Sequence, residues 1–476
     1  MRKFTKLSIV TALLAGSFSV ANAIELENAI KNVDFSGLLR YRYDTGRVHK
    51  DKKHGFNGLM GNNSANAAQQ DHKYKFQFNV KADIGDRFKV FTQLDYTSTD
   101  GGHGVGKGVD TGSSLAIRQA YLEYLNDNSH TRFLLGRQQL DTIWTGSGVG
   151  GLIGTGVKAV NTYIDGITLG AFAMDSLNGI GDGDTLAKVG KGGAGHDSLN
   201  KIGTALSKSL DGNLYGLSVA ASYDALGGKT NSTLWAAYIA DLATFYALEF
   251  KYSTSFIDDS KYALNFTYLG NTTDGYVKDE LAKNSYAFSG GNFFGVKGTW
   301  SDYYGWDASL GAVYYGKKDK LTMNTFEDTG SVGVLAGEEI FYTSGSHLYG
   351  DIGENFFGFL TAGYSFDNGI RLGADFVYGS TTSAFAYQTK DNNSNNSTDW
   401  GESGGGKKYE VVARVDYKYS PKLSFSGFYS YVNVDGGDHL KCGNNSGNSS
   451  QTPLTATGKQ LEGNKQSVRL QALYKF

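Results

Sequence analysis

The chain has 476 residues, of which 45 are basic and 47 acidic, and this near balance of charge gives no support for a nucleic-acid partner. It contains 65 glycines, 31 tyrosines and 28 phenylalanines but a single cysteine, Cys442, which excludes a disulfide framework. Beyond the first 23 residues no apolar stretch is long enough for a helix to cross a bilayer, so any crossing must use β-strands.

The amino terminus has the pattern of a secretory signal peptide. Three cations precede an apolar run over 7–20, and the small residues Ala21 and Ala23 suit cleavage after position 23. We therefore expect residues 1–23 to be removed and residues 24–476 to form one barrel domain. Too few residues precede the first predicted strand for a plug domain.

Along the rest of the chain, runs of about 9 to 11 residues alternate between apolar and polar side chains, as in strands with one face in lipid. The last run, VRLQALYKF, ends at Phe476 and places Arg469, Gln471 and Lys475 on its polar side. The apolar sides of the clearest runs are Phe35, Leu39, Tyr41 and Tyr43; Tyr74, Phe76, Phe78 and Val80; Tyr246, Leu248, Phe250 and Tyr252; Tyr262, Leu264, Phe266 and Tyr268; Val411, Ala413, Val415 and Tyr417; and Val468, Leu470, Ala472 and Tyr474.

The pattern predicts about 18 strands, an even number that closes a barrel with both chain ends on one side. The predicted strands start near residues 33, 73, 87, 115, 131, 155, 167, 213, 232, 244, 261, 292, 305, 355, 370, 408, 422 and 467. The strands near 115 and 131 are ambiguous, because Arg118 and Glu123, or Arg132 and Arg137, fall on opposite faces.

The links between the predicted strands alternate in length. Short links such as 85–87, 163–166 and 367–369 alternate with long polar ones, although 241–243 is short where a long link is expected. Outer-membrane barrels have short periplasmic turns and long external loops. The sequence therefore predicts an all-β, antiparallel transmembrane barrel in a bacterial outer membrane.

A closed barrel of about 16 to 18 strands is too wide for side chains to fill and is expected to hold an aqueous channel. Passage of ions and small polar solutes then needs only a charged lumen and a constriction. For each charged residue predicted to line the pore, an equal alternative is that it is an ordinary paired or solvated charge on the water-facing side of the sheet. The candidate pore-lining residues are Arg40, Arg42, Lys75, Lys81, Asp95, Asp141, Glu249, Asp307, Arg371, Asp375, Glu410, Arg414 and Asp416.

Two of the long links stand out. The link 140–154 is apolar and glycine-rich, so it either folds inward as a constriction or packs against the rim or a neighbouring subunit. The link 316–354 holds several carboxylates that suit Ca²⁺, but their spacing matches no Ca²⁺ loop. A solvated acidic loop is the preferred interpretation of this second link.

No enzyme is indicated by the sequence. The segment 101–108, GGHGVGKG, resembles a phosphate-binding loop, but Gly108 stands where Ser or Thr should hold Mg²⁺. The eight histidines lack metal-ligand spacing, and there is no nucleophile elbow.

The chain resembles the campylobacter-type major outer membrane porins. The resemblance lies in VDFSGLLRYRYDTG (33–46), QDHKYKFQFNV (70–80), RQQL and IW (137–140 and 143–144), GLIGTGVKAV (151–160), GWDASLGAVYYG (305–316), LAGEEIFYTSGS (335–346), RLGADFVYG (371–379), ARVDYKYSPKLSFSGFYSYVN (413–433) and SVRLQALYKF (467–476). It implies an 18-stranded, trimeric, mildly cation-preferring general-diffusion porin.

The resemblance also implies calcium near the pore. This chain has Gly150 where the family pattern carries an acidic residue, so Glu338 and Glu339 of the GEEIF segment are the calcium candidates. No other cofactor is expected.

The sequence thus predicts an outer-membrane porin for ions and small hydrophilic solutes, surrounded by lipid and lipopolysaccharide and assembled as a homotrimer. The alternative is an outer-membrane adhesin or interaction protein that acts through its external loops.

Overall fold

The structure is a computed structural model, and it describes residues 33–49, 68–85, 87–102, 108–146, 148–177, 213–255, 260–275, 279, 288–343, 345–382, 388–390, 398–400, 406–435, 441–442, 456–457 and 462–476. The predicted signal peptide lies outside these residues. No helix within the described ranges is long and apolar enough to span a membrane.

The described part of the chain is almost entirely β-structure, with one short 3₁₀ turn at Ile340–Tyr342. The strands are β1 (Val33–His49), β2 (Ala68–Gly85), β3 (Phe88–Gly101), β4 (Ala116–Asn126), β5 (Thr131–Gln139), β6 (Ile153–Asn161), β7 (Ile167–Leu177), β8 (Leu214–Ala225), β9 (Gly228–Ile239), β10 (Ala243–Ser255), β11 (Lys261–Thr273), β12 (Asn292–Tyr303), β13 (Trp306–Thr322), β14 (Asp351–Ser365), β15 (Ile370–Thr382), β16 (Gln388–Lys390), β17 (Thr398–Trp400), β18 (Gly406–Lys418), β19 (Leu423–Asp435), β20 (Lys441–Cys442), β21 (Ala456–Thr457) and β22 (Glu462–Lys475).

Eighteen of these strands form one closed antiparallel sheet, and β16 with β17 and β20 with β21 form two small separate pairs. Closure is shown by β1, which pairs with β2 on one side and with the last strand, β22, on the other. The 18-stranded barrel predicted from the sequence is confirmed, and most strands begin within two residues of the predicted starts. The larger differences, at β2, β9, β14 and β22, arise because these strands begin earlier than the alternating pattern suggests.

The turns at one end of the barrel are tight. The β8–β9 turn uses Leu226 and Gly227 at φ of 51° and 74°, the left-handed pair that suits a two-residue hairpin. The unexpectedly short β9–β10 link is present at the opposite end, where Asp241 takes a φ of 61°.

The outer face of the barrel is apolar, as a lipid-facing surface requires. Large apolar side chains are exposed around the sheet, among them Leu234, Leu310, Leu360 and Leu470. Aromatic rings form rows near the strand ends; near the tight turns the ring of Tyr124 lies 4.9 Å from that of Phe88 and 6.3 Å from that of Phe133 between centroids.

The two ambiguous strands are resolved by irregularities in the sheet. A register shift between Gln93 and Leu94 opposite β4 lets Arg118 join the inward side, where it lies 3.7 Å from Asp95. On β5, Arg137 shares the outward, exposed side of Leu135, as the strict alternation requires.

The interior departs from the expected wet lumen on one side. Apolar side chains near the long-loop ends of β7 to β15 point inward and are buried in the main hydrophobic core. We call this surface the apolar wall; it includes Met174, Leu214, Ile239, Phe245, Phe293, Phe357 and Val377. Apolar residues inside the barrel require a cover, which the links between strands supply.

Candidate functional site in the barrel lumen

Two links fold into the barrel and cover the apolar wall. Residues 140–152 follow β5, and residues 323–350 connect β13 to β14. Trp144 of the first link is 0 % exposed. Its ring lies 5.5 Å from that of Phe326 in the second link and 6.1 and 6.2 Å from Phe245 and Trp235 of the wall. The first link therefore narrows the lumen, which confirms the prediction that this segment folds inward.

The two links are also hydrogen-bonded to each other. The backbone N–H of Phe326 donates to the carbonyl of Trp144 at 2.8 Å. The carboxylate of Glu327 accepts from the N–H groups of Gly146 and Leu152 at 3.1 and 3.0 Å. The prediction that 316–354 is a solvated acidic loop is therefore wrong: Glu327 and Glu339 are buried, because their carboxylates satisfy groups inside the barrel.

The second link is fixed to the barrel by a buried carboxylate on β18. Glu410 accepts hydrogen bonds from the backbone N–H groups of Glu338, Glu339 and Ile340 at 2.9 to 3.1 Å, and from Ser430 Oγ at 2.6 Å. An anionic acceptor makes stronger hydrogen bonds than a neutral one, so this nest of donors sets the position of residues 338–340.

The two calcium candidates belong to this anchor. Glu339 contacts Lys465 Nζ of β22 at 2.5 Å, and Glu338 contacts Arg414 of β18. Both carboxylates are therefore held by cations, and no group of three or more His, Cys, Asp or Glu suited to a metal is found among the described residues. The arrangement does not fit a calcium ion at Glu338 and Glu339.

Arg118 fixes the base of the first link. Its guanidinium donates to Gln139 Oε1 at 2.9 Å and to the carbonyl of Gly151 at 2.6 Å, and it also reaches Gln93. One arginine thus holds both ends of the loop that carries Trp144.

The side of the lumen away from the apolar wall is charged. We call this surface, the inward faces of β18, β19, β22 and β1 to β4, the charged wall. At its centre the buried carboxylate of Asp44 contacts Arg42 at 3.0 Å, Lys73 at 2.9 Å and Arg469 at 2.8 Å. The three cations are each 20 to 26 % exposed, so they face water from around a shared acid.

The predicted pore-lining residues lie inside the barrel, most of them in ion pairs. Lys75 and Glu410 are 1 % and 0 % exposed, so they stabilise the wall and do not contact a solute. Arg40 faces inward on β1, and Asp141 is exposed on the first link, where it accepts from Gln139. The remaining contacts are Lys75 with Asp95, Lys81 with Glu123, Glu249 with Lys251 and Trp235, Arg371 with Asp307 and Asp416, and Arg414 with Asp375.

Several residues of the site are absent from the sequence-based candidates. The alternating pattern could have identified Asp44, Lys73 and Arg469 as lumen residues, because each lies on the inward side of a predicted strand. Glu327 and Lys465 carried no such indication, since their role depends on links that fold into the lumen.

A family model described as Campylobacter major outer membrane protein matches residues 2–454. The curated proteins give no match. Among solved structures, Pseudomonas aeruginosa OccK9 (OpdG) is similar with a TM-score of 0.60 at 13 % identity, covering 94 % of this chain and 100 % of that chain. Acinetobacter baumannii OccAB4 gives a TM-score of 0.58 at 12 % identity, covering 94 % and 98 %. At these identities the likeness shows the fold alone.

Proposed function

The chain belongs to the Campylobacter major outer membrane protein family, and we propose that ions and small hydrophilic solutes diffuse through its lumen along the charged wall. The resemblance read from the sequence is thereby confirmed. The protein is a porin of the bacterial outer membrane, and both family and fold correspond to a channel rather than an enzyme.

The observation that carries the proposal is a row of inward polar side chains along β2, the charged ones at its two ends being partly exposed. Lys73, Lys75, Gln77, Asn79, Lys81 and Asp83 follow one another at two-residue spacing on the inward side of β2. Lys73, Lys81 and Asp83 are 26 %, 35 % and 43 % exposed, whereas Lys75 and Gln77 between them are buried. A polar, water-accessible strip beside a packed apolar one is what a selective aqueous passage requires.

The ion preference is expected to be small. The exposed carboxylate of Asp141 and the partly exposed carboxylate of Glu338 on the inward links favour cations, as does the resemblance to a cation-preferring family. The cations around Asp44 on the opposite wall counteract them. We therefore propose a mild cation preference that arises from partial cancellation of the two walls.

Assembly and surroundings complete the proposal. The outward apolar face is in contact with membrane lipid, and we propose lipopolysaccharide in the outer leaflet and a homotrimer as the assembled form. The signal peptide at residues 1–23 stays a prediction. Calcium also stays a prediction, but the cations on Glu338 and Glu339 argue against those two residues as its ligands.

The purified full-length protein in planar bilayers tests the proposal. We expect ohmic single-channel steps in KCl, and a reversal potential across a salt gradient that indicates a weak preference for K⁺. Protein that inserts and resists heating as a folded barrel, but carries no current, would contradict the channel.

The adhesin alternative predicts a different outcome. A deletion strain would then lose attachment to surfaces while keeping uptake of small polar solutes. The channel proposal predicts the reverse, and no described residue favours attachment.

A further inference from the structure

A groove of about 540 Å³ lies on the outer face of the barrel, across strands β10 to β14. The small residues Gly298 of β12 and Ala308 of β13 line it. Leu264 and Leu310 flank Gly298 in register on the neighbouring strands, and Leu310 is 68 % exposed. The groove therefore exists because two small outward residues interrupt a surface of large apolar side chains.

The lining atoms of the groove are almost all apolar, and the surface around it is in contact with membrane lipid. An unfilled void forfeits the van der Waals contacts that its lining atoms would otherwise make, so a lipid chain is the expected occupant. Because lipid tails are as apolar as leucine, no hydrophobic driving force holds a chain there. Retention of one particular lipid therefore needs close contact within the groove together with a bound headgroup.

One end of the groove is marked by aromatic rings near the tight turns. Tyr262 and Trp300 pair in register at this end, and the ring of Trp300 lies 5.1 Å from that of Tyr303 between centroids. Tyr252 also lines the groove, and its hydroxyl donates to the carbonyl of Leu226 in the β8–β9 turn at 2.7 Å. Such rings lie at the headgroup level, and the tight turns of an outer-membrane barrel face the periplasm. The occupant is therefore expected to be a lipid of the periplasmic leaflet.

An exposed ion pair lies at the same end of the groove. Lys261, the residue before Tyr262, contacts Asp302 at 2.8 Å, and the two side chains are 66 % and 55 % exposed. Exposed pairs of this kind are worth under about 1 kcal/mol, so both groups can exchange their contact for other charged partners. A zwitterionic phospholipid headgroup carries a phosphate and an ammonium, which can bind the lysine and the aspartate together.

We propose that the groove holds one acyl chain of a zwitterionic phospholipid of the periplasmic leaflet, with the headgroup phosphate at Lys261 and its ammonium at Asp302. The chain lies along Gly298, between Leu264 and Leu310. A lipopolysaccharide would have to enter from the opposite leaflet, away from the ion pair. The site lies outside the lumen and is therefore separate from the passage of solutes.

Filling the groove tests the site. A β-carbon added at Gly298 would meet nothing nearer than the carbonyl oxygen of Leu310 at 3.9 Å, so Gly298→Leu fills the groove without a backbone clash. Wild-type protein released from phosphatidylethanolamine nanodiscs should retain one phospholipid per copy in native mass spectrometry, and Gly298→Leu should lower this retention by at least about tenfold. Gly358→Leu is the matched control, because this outward glycine of β14 has the same clearance, 3.9 Å to the carbonyl oxygen of Gly311, and lies outside the groove.

The headgroup contact needs a separate measurement. In nanodiscs of equal parts phosphatidylethanolamine and phosphatidylcholine, the retained lipid should be phosphatidylethanolamine by about fivefold, since a quaternary ammonium cannot donate a hydrogen bond to Asp302. Lys261→Gln with Asp302→Asn should abolish this preference while the barrel stays folded.

Equal retention by the wild type and Gly298→Leu, an equal loss in Gly358→Leu, or the absence of a headgroup preference would each overturn the site. Protein extracted from outer membranes that retains lipopolysaccharide alone would also overturn it, because the occupant would then come from the other leaflet. If Gly298→Leu does not fold, Leu310→Ala removes one side of the groove without adding bulk and should lower retention in the same way. Single-channel conductance should keep its wild-type value in these variants, so loss of the lipid and failure of the channel proposal are distinguishable.

Discussion

The two walls of the lumen are built from the same kind of strand but are stabilised in different ways. On the charged wall, inward side chains pair with each other around acids such as Asp44 and remain partly in water. On the apolar wall, inward side chains such as Phe245 and Phe293 are fully buried under two folded links. One barrel thus contains a wet surface and a dry core, separated by the links that carry Trp144 and Glu339.

This difference separates the residues that stabilise the constriction from those that act on ions. Partly exposed ion pairs contribute little to stability, typically under about 1 kcal/mol each, but their charges act directly on passing ions. Buried apolar groups and buried ion pairs contribute more to the position of the links and have no direct contact with solutes. Substitutions on the apolar wall and its links should therefore affect mainly stability and the position of the links. Substitutions on the charged wall should affect mainly ion passage and change stability little.

The largest effect is expected for Trp144→Ala. Removing this buried ring leaves a cavity among Phe326, Phe245 and Trp235, and such substitutions destabilise by about 3–5 kcal/mol. The first link should loosen, so single-channel conductance should change and current noise should rise while the barrel stays folded. The matched control is Trp306→Ala, an exposed tryptophan on the outer face, which should leave conductance unchanged. Equal conductance in both variants would show that the first link does not set the constriction.

A smaller but still large effect is expected for Glu339→Gln. It removes the carboxylate that contacts the buried ammonium of Lys465 at 2.5 Å, and breaking a buried pair costs about 3 kcal/mol or more. Denaturant titration in detergent should show the loss, together with faster proteolysis of the 323–350 link. Replacing both partners, as Glu339→Gln with Lys465→Met, should recover part of the stability because the buried ammonium is removed together with the carboxylate that it contacts. If the double variant is as unstable as the sum of the single ones, the two groups do not form a coupled anchor.

The sequence predicts the barrel well, because alternation reports which side chains face lipid. On β1, β2, β18 and β22 one face is polar, and both the strands and their inward residues follow directly. On β14 the segment NFFGFL is apolar on both faces, since its inner phenylalanines lie under the 323–350 link. The two-residue alternation alone cannot show that the inward face of a strand is buried under a link.

The constriction is less predictable, for a related reason. The apolar character of 140–154 indicated an inward loop, because exposed Ile143 and Trp144 would be unfavourable in water. The acidic composition of the 316–354 link predicted a solvated loop instead, since carboxylates usually stay solvated. Glu327 is buried because backbone N–H groups of the first link satisfy it, and Glu339 is buried beside Lys465 of β22; these long-range contacts leave no local pattern.

The smallest effect on stability is expected on the charged wall. Lys73→Gln removes one of three cations from Asp44, which keeps Arg42 and Arg469, so unfolding should change by less than about 1 kcal/mol. The lumen loses one positive charge, so the reversal potential across a KCl gradient should shift toward K⁺. Lys261→Gln is the matched control, because that exposed lysine pairs with Asp302 at 2.8 Å beside a tight turn of the barrel. A shift with Lys261→Gln but none with Lys73→Gln would place the ion path away from the charged wall.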